Sequence, residues 1–249
     1  MADDRAVSDV LAFVLIFGVM VTSVGLIAVV GFDAVEGMSD GEQLQSAEVS
    51  MAELADQMTG IADHEAPVRS TEFRMRGATT RVIDSPTLNV TITSEGGDEW
   101  NASISLGGVA YELGDSTIAV VGGSVVRVDG THAVMLREPP FMHVDDRARL
   151  NLIQVRMLRT SGAITTDSTV QLRSHHDRTR LITPDNRSQL RDVVAIHIDV
   201  VGDDPIAEVW DGYFDDHPAW SDGPDGWVAD DLDNGAIVRL TWVDVQFIR

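Results

Sequence analysis

The stretch VLAFVLIFGVMVTSVGLIAVVGF, residues 10–32, carries no formal charge over 23 positions and follows a short polar head, MADDRAVSD. A helix rises ~1.5 Å per residue, so this run extends roughly 34 Å, against about 30 Å for the hydrocarbon core of a bilayer. It reads as a long membrane-spanning helix. A cleaved secretory signal fits less well. The head sets one Arg, Arg5, against three Asp, and no A-x-A pattern lies between Gly31 and Glu42; the apolar part of a signal is also only about 7–15 residues long. A plain N-terminal anchor is the simplest alternative. Basic residues near a span set its orientation. Arg5 precedes the run and the next basic residue is Arg69, so the expected arrangement is a single pass through the cell membrane, N-terminus cytoplasmic and body extracytoplasmic, with membrane lipid as a partner.

The rest of the chain is strongly acidic. Forty Asp and Glu face 18 basic residues, all of them Arg, for a net charge of −22. Such a surface repels itself in dilute buffer and is screened over about 3 Å at molar salt, which points to a halophilic source. It also argues against nucleic acid as a partner, since phosphate binding needs clustered Lys or Arg. There is no Cys, which removes disulfides, thiolate metal sites and thiol catalysis. About 180 residues after Pro67 suffice for a body with its own core.

Past the apolar run, Gly31, Gly37 and Gly41 alternate with acidic residues, a place for a helix to bend or break. Leu44, Ala47, Met51, Leu54, Met58 and Ile61 then recur every three or four positions, predicting an amphipathic helix from about Glu42 to His64, ended by Pro67. It either packs on its own body or forms a seam between subunits. From Val68 the period becomes two. Segments at 72–76, 87–93, 102–106, 109–113 and 117–121 read as strands separated by Gly or Ser turns, and 124–136 reads as a hairpin with a type I′ turn at Asp129-Gly130. Residues 149–158 fit helix or strand and are taken as strand; 190–201 and 236–248 read as late, buried strands. The fold class expected is α+β: the long spanning helix, the amphipathic helix, and a mainly antiparallel β domain, a sandwich or small barrel.

Residues 209–234 hold eight Asp among aromatic, Gly and Pro residues. They read as an acid-coated surface loop whose aromatics pack on the sheet, with a Ca²⁺ site as the functional alternative, although no EF-hand pattern occurs. His175-His176-Asp177 is the one compact metal-like cluster. Neighbouring strand residues point to opposite faces, and Arg173, Arg178 and Arg180 beside it suggest a solvated polar turn. None of the G-x-S-x-G, H-E-x-x-H, phosphate-loop or dinucleotide patterns is present, so the expectation is a protein without catalytic residues, metal or cofactor. Three Asn-x-[Ser/Thr] motifs, at Asn89, Asn101 and Asn186, mark candidate glycosylation sites.

The head and apolar run together, Arg5-Ala6-Val7-Ser8-Asp9-Val10 and onward, resemble the type IV pilin-like N-terminus of haloarchaeal surface proteins, and the RAVSDVLAF start with Ala66-Pro-Val-Arg-Ser-Thr-Glu72 resembles one haloarchaeal group in particular. Asp9 stands where many such pilins have proline. The resemblance covers about the first 75 residues. It implies a leader, 1–6, cut by a prepilin peptidase between Ala6 and Val7; a pilin-like helix, 7–32; a linker and amphipathic helix, 33–66; and an extracytoplasmic β domain, 67–249. It further implies that helices pack together in a filament of pilin-like subunits, with close approach at Gly18, Thr22 and Gly25. Asp9 either pairs with a neighbouring Val7 α-amine or caps its own helix. The expected function is a non-catalytic subunit of a pilus-like filament or adhesion structure; the alternative is a membrane-anchored ligand-binding or hydrolytic domain that forms no filaments.

Overall fold

The computed structural model describes residues 3–63, 66–144, 147–158, 162–182, 193–230, 232 and 235–248; within the first helix the side chains of 3–12 and 28–38 lie outside that description. Residues 1–45 and 46–249 form two units. Helix α1 (Asp3–Ala62) is continuous, which corrects the Gly-interrupted linker. Three glycines cost about 1 kcal/mol each relative to Ala in a helix interior, and no proline occurs before Pro67, so nothing in the run forces a break.

The expected fold class is corrected as well. Among the described residues no helix is long and apolar enough to cross a membrane. Among the described residues the protein is mostly β, with one long and one short helix, in place of the expected α+β class led by a membrane-spanning helix.

After α1 come β1 (Val68–Arg74), β2 (Thr79–Ile83), β3 (Thr87–Ser94), β4 (Glu99–Ser105), β5 (Gly108–Leu113), β6 (Ser116–Val121), β7 (Ser124–Asp129) and β8 (His132–Arg137). Then follow β9 (Phe141–Val144), β10 (Arg147–Met157), β11 (Ile164–Thr165), β12 (Thr169–Ile182), β13 (Val193–Val201), helix α2 (Pro205–Asp216), β14 (Ser221–Gly223), β15 (Gly226–Ala229) and β16 (Ala236–Ile248). They build three sheets, ordered β1-β12-β16-β10-β9, β11-β2-β5-β6-β7-β8 and β14-β15-β13-β3-β4. Pairing is antiparallel except between β10 and β16. The ambiguous stretch 149–158 is strand almost throughout, β10.

Turn chemistry explains the registers. The β6–β7 hairpin pairs Val121 with Ser124 across Gly122-Gly123, both at positive φ, +58° and +88°, the type I′ pattern that matches strand twist. The β7–β8 hairpin turns one residue later than the sequence suggests. Asp129 pairs with His132 and the loop is Gly130-Thr131, with positive φ at Gly130 alone. That is the II′ pattern, and it corrects the I′ turn expected at Asp129-Gly130.

Two further corrections share a cause. The polar turn expected around His175 is the middle of β12, with a bulge between His176 and Arg178 at Asp177. The acid-coated loop of 209–234 is largely α2 and the β14–β15 hairpin. Asp204 caps α2 by accepting from the backbone N–H groups of Ile206 and Ala207, and Pro205 opens the helix. Ile206, Trp210, Tyr213 and Phe214, spaced for one helical face, are buried. In both segments dense Asp and Arg masked an apolar period.

The main core joins Leu88, Val90 and Ile92 of β3, Ile196 and Ile198 of β13, Leu150 and Leu152 of β10, Val238 of β16, and Trp210 and Phe214 of α2. The C-terminal part of α1, from Ser46, belongs to the larger unit. Ala47, Met51, Leu54, Met58 and Ile61 are buried, so this stripe packs on its own body and is not a seam between subunits. Arginines from the strands fix its flank: Arg127 binds Glu48, Arg137 binds Asp56, and Arg149 reaches Asp63 at 2.7 Å.

Candidate functional site

The apolar stretch of α1 is the most unusual surface among the described residues. From Phe13 to Ile27 its large hydrophobic side chains are 55–71% exposed. Soluble monomers rarely show so long an unbroken apolar surface, and such patches mark sites of association. Phe13 and Phe17 stack with ring centroids 6.1 Å apart. The two hydroxyls turn inward: Thr22 Oγ1 donates to the Gly18 carbonyl and Ser23 Oγ to that of Val19, both at 2.8 Å. The outer surface is thereby left with no unsatisfied polar group that would resist burial. A Cβ added at Gly18 or Gly25 would meet nothing within 4 Å. Gly18, Thr22 and Gly25, spaced i, i+4, i+7, therefore lie along one side where a second helix could approach the backbone closely. No titratable group lies in 13–27, so this surface can bind only by shedding water.

Arg5, Ala6, Val7 and Asp9 fall in the first turns of α1, and their side chains lie outside the described residues. The helix begins at Asp3, six positions before Asp9, which corrects the reading of Asp9 as its N-cap.

The second feature is a groove of about 600 Å³ between β8 and α2. The local sequence gives little sign of it because the helix forming one wall reads as loop; the Asp204-Pro205 cap with Ile206, Trp210 and Phe214 behind it is the available signal. Met135 and Val209 give it apolar walls, and Glu138, Glu208 and Asp216 supply carboxylates. Tyr213 lines it while packing within an aromatic cluster, 5.2 Å from Phe214 and 6.3 Å from Phe141 between centroids. Burial, with a smaller contribution from the charge of Glu138, pushes its hydroxyl up to about 12. The groove suits a cationic group carried on an apolar stem.

The remaining expected site residues are scattered. Asn89 and Asn101 both lie on the third sheet, in β3 and β4. Asn186 lies outside the described residues. Around His175-His176-Asp177, Asp177 accepts from Arg156 at 2.7 Å, His176 Nε2 bonds Thr179 Oγ1 at 2.9 Å, and Arg178 lies 4.3 Å above the Trp242 ring. The cluster is absorbed into contacts within β12 and with β10 and β16. Among the described residues no group of three or more His, Cys, Asp or Glu is placed to hold a metal ion.

A long helix with a bare apolar stretch, followed by a three-sheet β body, defines the architecture. The chain belongs to a family of unknown function, DUF7289, whose model matches residues 5–247. No curated protein and no solved structure matches it.

Proposed function

We propose that this protein is a non-catalytic, pilin-like surface subunit of a halophilic archaeon, whose apolar helical stretch is covered by the same stretch of other copies while the β body is displayed outside the cell. The observation that carries this reading is the exposure of every large apolar side chain described from Phe13 to Ile27. At roughly 25 cal/mol per Å², leaving that surface in water is costly and burying it between copies is favourable. The open Gly18 and Gly25 positions support helix-to-helix packing, and the Arg5-Ala6-Val7 head supports processing by a prepilin peptidase. The Lys-free, acidic composition supports the halophilic source.

Two measurements test it. Mass spectrometry of the protein recovered from its cells is expected to give a mature start at Val7; an intact leader overturns the pilin reading. Introducing charge by Gly18→Asp and Gly25→Asp is expected to move the protein from a sheared, sedimentable surface fraction to a dispersed one. A second reading, a surface ligand-binding domain that forms no filaments, is favoured by the groove between β8 and α2. Unchanged sedimentation in the charged variants, together with saturable binding of a cationic ligand, selects it.

A further inference from the structure

Two glycosylation motifs interlock on one face of the third sheet. The β3–β4 register sets Asn89 opposite Ser103 and Thr91 opposite Asn101, so the acceptor of each motif faces the hydroxyl residue of the other. The two are not equivalent. β3 lies between β13 and β4, and the half-buried Asn89 donates from Nδ2 to Asp199 Oδ2 at 3.0 Å. The hydroxyl of its own motif, Thr91 Oγ1, donates to Asn101 Oδ1 at 2.6 Å. Both groups the first motif needs are therefore engaged. β4 is an edge strand. Asn101 and Ser103 are exposed on it, and the bond from Thr91 holds the Asn101 amide by its oxygen, leaving the nitrogen toward solvent. Among the described residues no hydrogen bond involves Asn101 Nδ2 or the Ser103 hydroxyl.

We propose that Asn101 is the N-glycan acceptor of the folded body and that Asn89 is passed over. The co-reactant is an activated sugar carried on a phosphate, delivered by a glycosyltransferase. Asn101 Nδ2 attacks the anomeric carbon and the carbon–nitrogen bond forms. The sugar–oxygen bond to phosphate breaks, the phosphate leaves with the electron pair, and one amide proton passes to a base of the transferase. The attached sugar then stands on the free edge of the sheet, over the polar depression of about 380 Å³ lined by Asn89, Thr91, His197 and Asp199. A bulky hydrated group there keeps β4 from pairing with a strand of another copy, the hazard every open sheet edge carries.

The proposal rests on the surface-display part of the function above. Its test is glycopeptide mass spectrometry on the protein from its own cells, cut after Glu95 so that Asn89 and Asn101 fall on separate peptides. A sugar mass is expected on the Asn101 peptide of the unaltered protein and of Asn89→Gln, and its complete loss in Asn101→Gln and Ser103→Ala. A bare Asn101, or a sugar on Asn89, overturns it. The same digest reads the N-terminal peptide. A Val7 start with bare Asn101 removes only this proposal, whereas an intact leader with a sugar on Asn101 removes only the filament reading.

Discussion

Gly122 shows how closely one residue can be tied to a fold. Its φ is +58°, and an added Cβ would lie 2.9 Å from Trp210 Cζ2 and 3.0 Å from Leu106 Cδ1. Gly122→Ala is therefore expected to lose about 1–3 kcal/mol from turn strain and crowding together, read as a lower urea midpoint with unchanged slope. Titratable residues give a second test. The hydrogen bond from Arg137 holds the Asp56 carboxyl below its ordinary 3.8, and Arg127, with Ser116 adding to it, does the same for Asp129. Unfolded carboxylates titrate near 3.8, so this stabilisation is intact above about pH 4 and drains as pH falls through the lower folded values. The acid limb of a stability–pH curve should flatten in an Asp56→Asn, Asp129→Asn double variant. Tyr213 has the opposite sign. Its raised value, about 12 against 10, leaves stability independent of this group below pH 10 and erodes it between 10 and 12. Tyr213→Phe should remove that alkaline loss.

At the level of elements, α2 depends on its cap. Asp204→Ala strips the acceptor from two backbone N–H groups and is expected to cost about 0.5–2 kcal/mol, visible as faster hydrogen exchange in 205–210 before global unfolding. Leu54→Ala, in the buried part of α1, should cost about 2–5 kcal/mol by leaving a cavity, without altering the apolar stretch at 13–27. The contrast between these helices also explains what was legible in the sequence. The stripe from Ala47 to Ile61 declared its buried face because polar residues separate its apolar ones regularly. Strands such as β3 and β6 declared themselves by alternation and Gly turns. In α2 the same kind of face was hidden, since Asp211, Asp215 and Asp216 on its wet side read as turn formers. β12 was hidden because six of the eight positions from Arg173 to Arg180 are Arg, His or Asp, which read as a solvated turn. The groove needs α2 and β8 side by side, a long-range pairing that no local pattern encodes. The unequal fates of Asn89 and Asn101 depend on register and on Asp199, more than a hundred residues further along the chain.

For the molecule as a whole, a net charge of −22 sets the conditions of stability. Like charges repel over about 10 Å at 0.1 M salt and about 3 Å at 1 M, so the melting temperature should climb steeply between those concentrations in KCl. A flat profile would count against a halophilic origin. The sheet that carries β10 and β12 has a further consequence. Its centre is β16, the last strand, flanked by β12 on one side and in parallel register with β10 on the other. The two halves of that sheet join only through residues 236–248, so a chain lacking them holds two unfinished edges in search of the same strand. Pairings so distant along the chain form slowly. Chains truncated before residue 236 should thus stay open to protease, whereas chains that include 236–248 become resistant in a single step. One segment, 236–248, is thus the tie that holds the two halves of that sheet together.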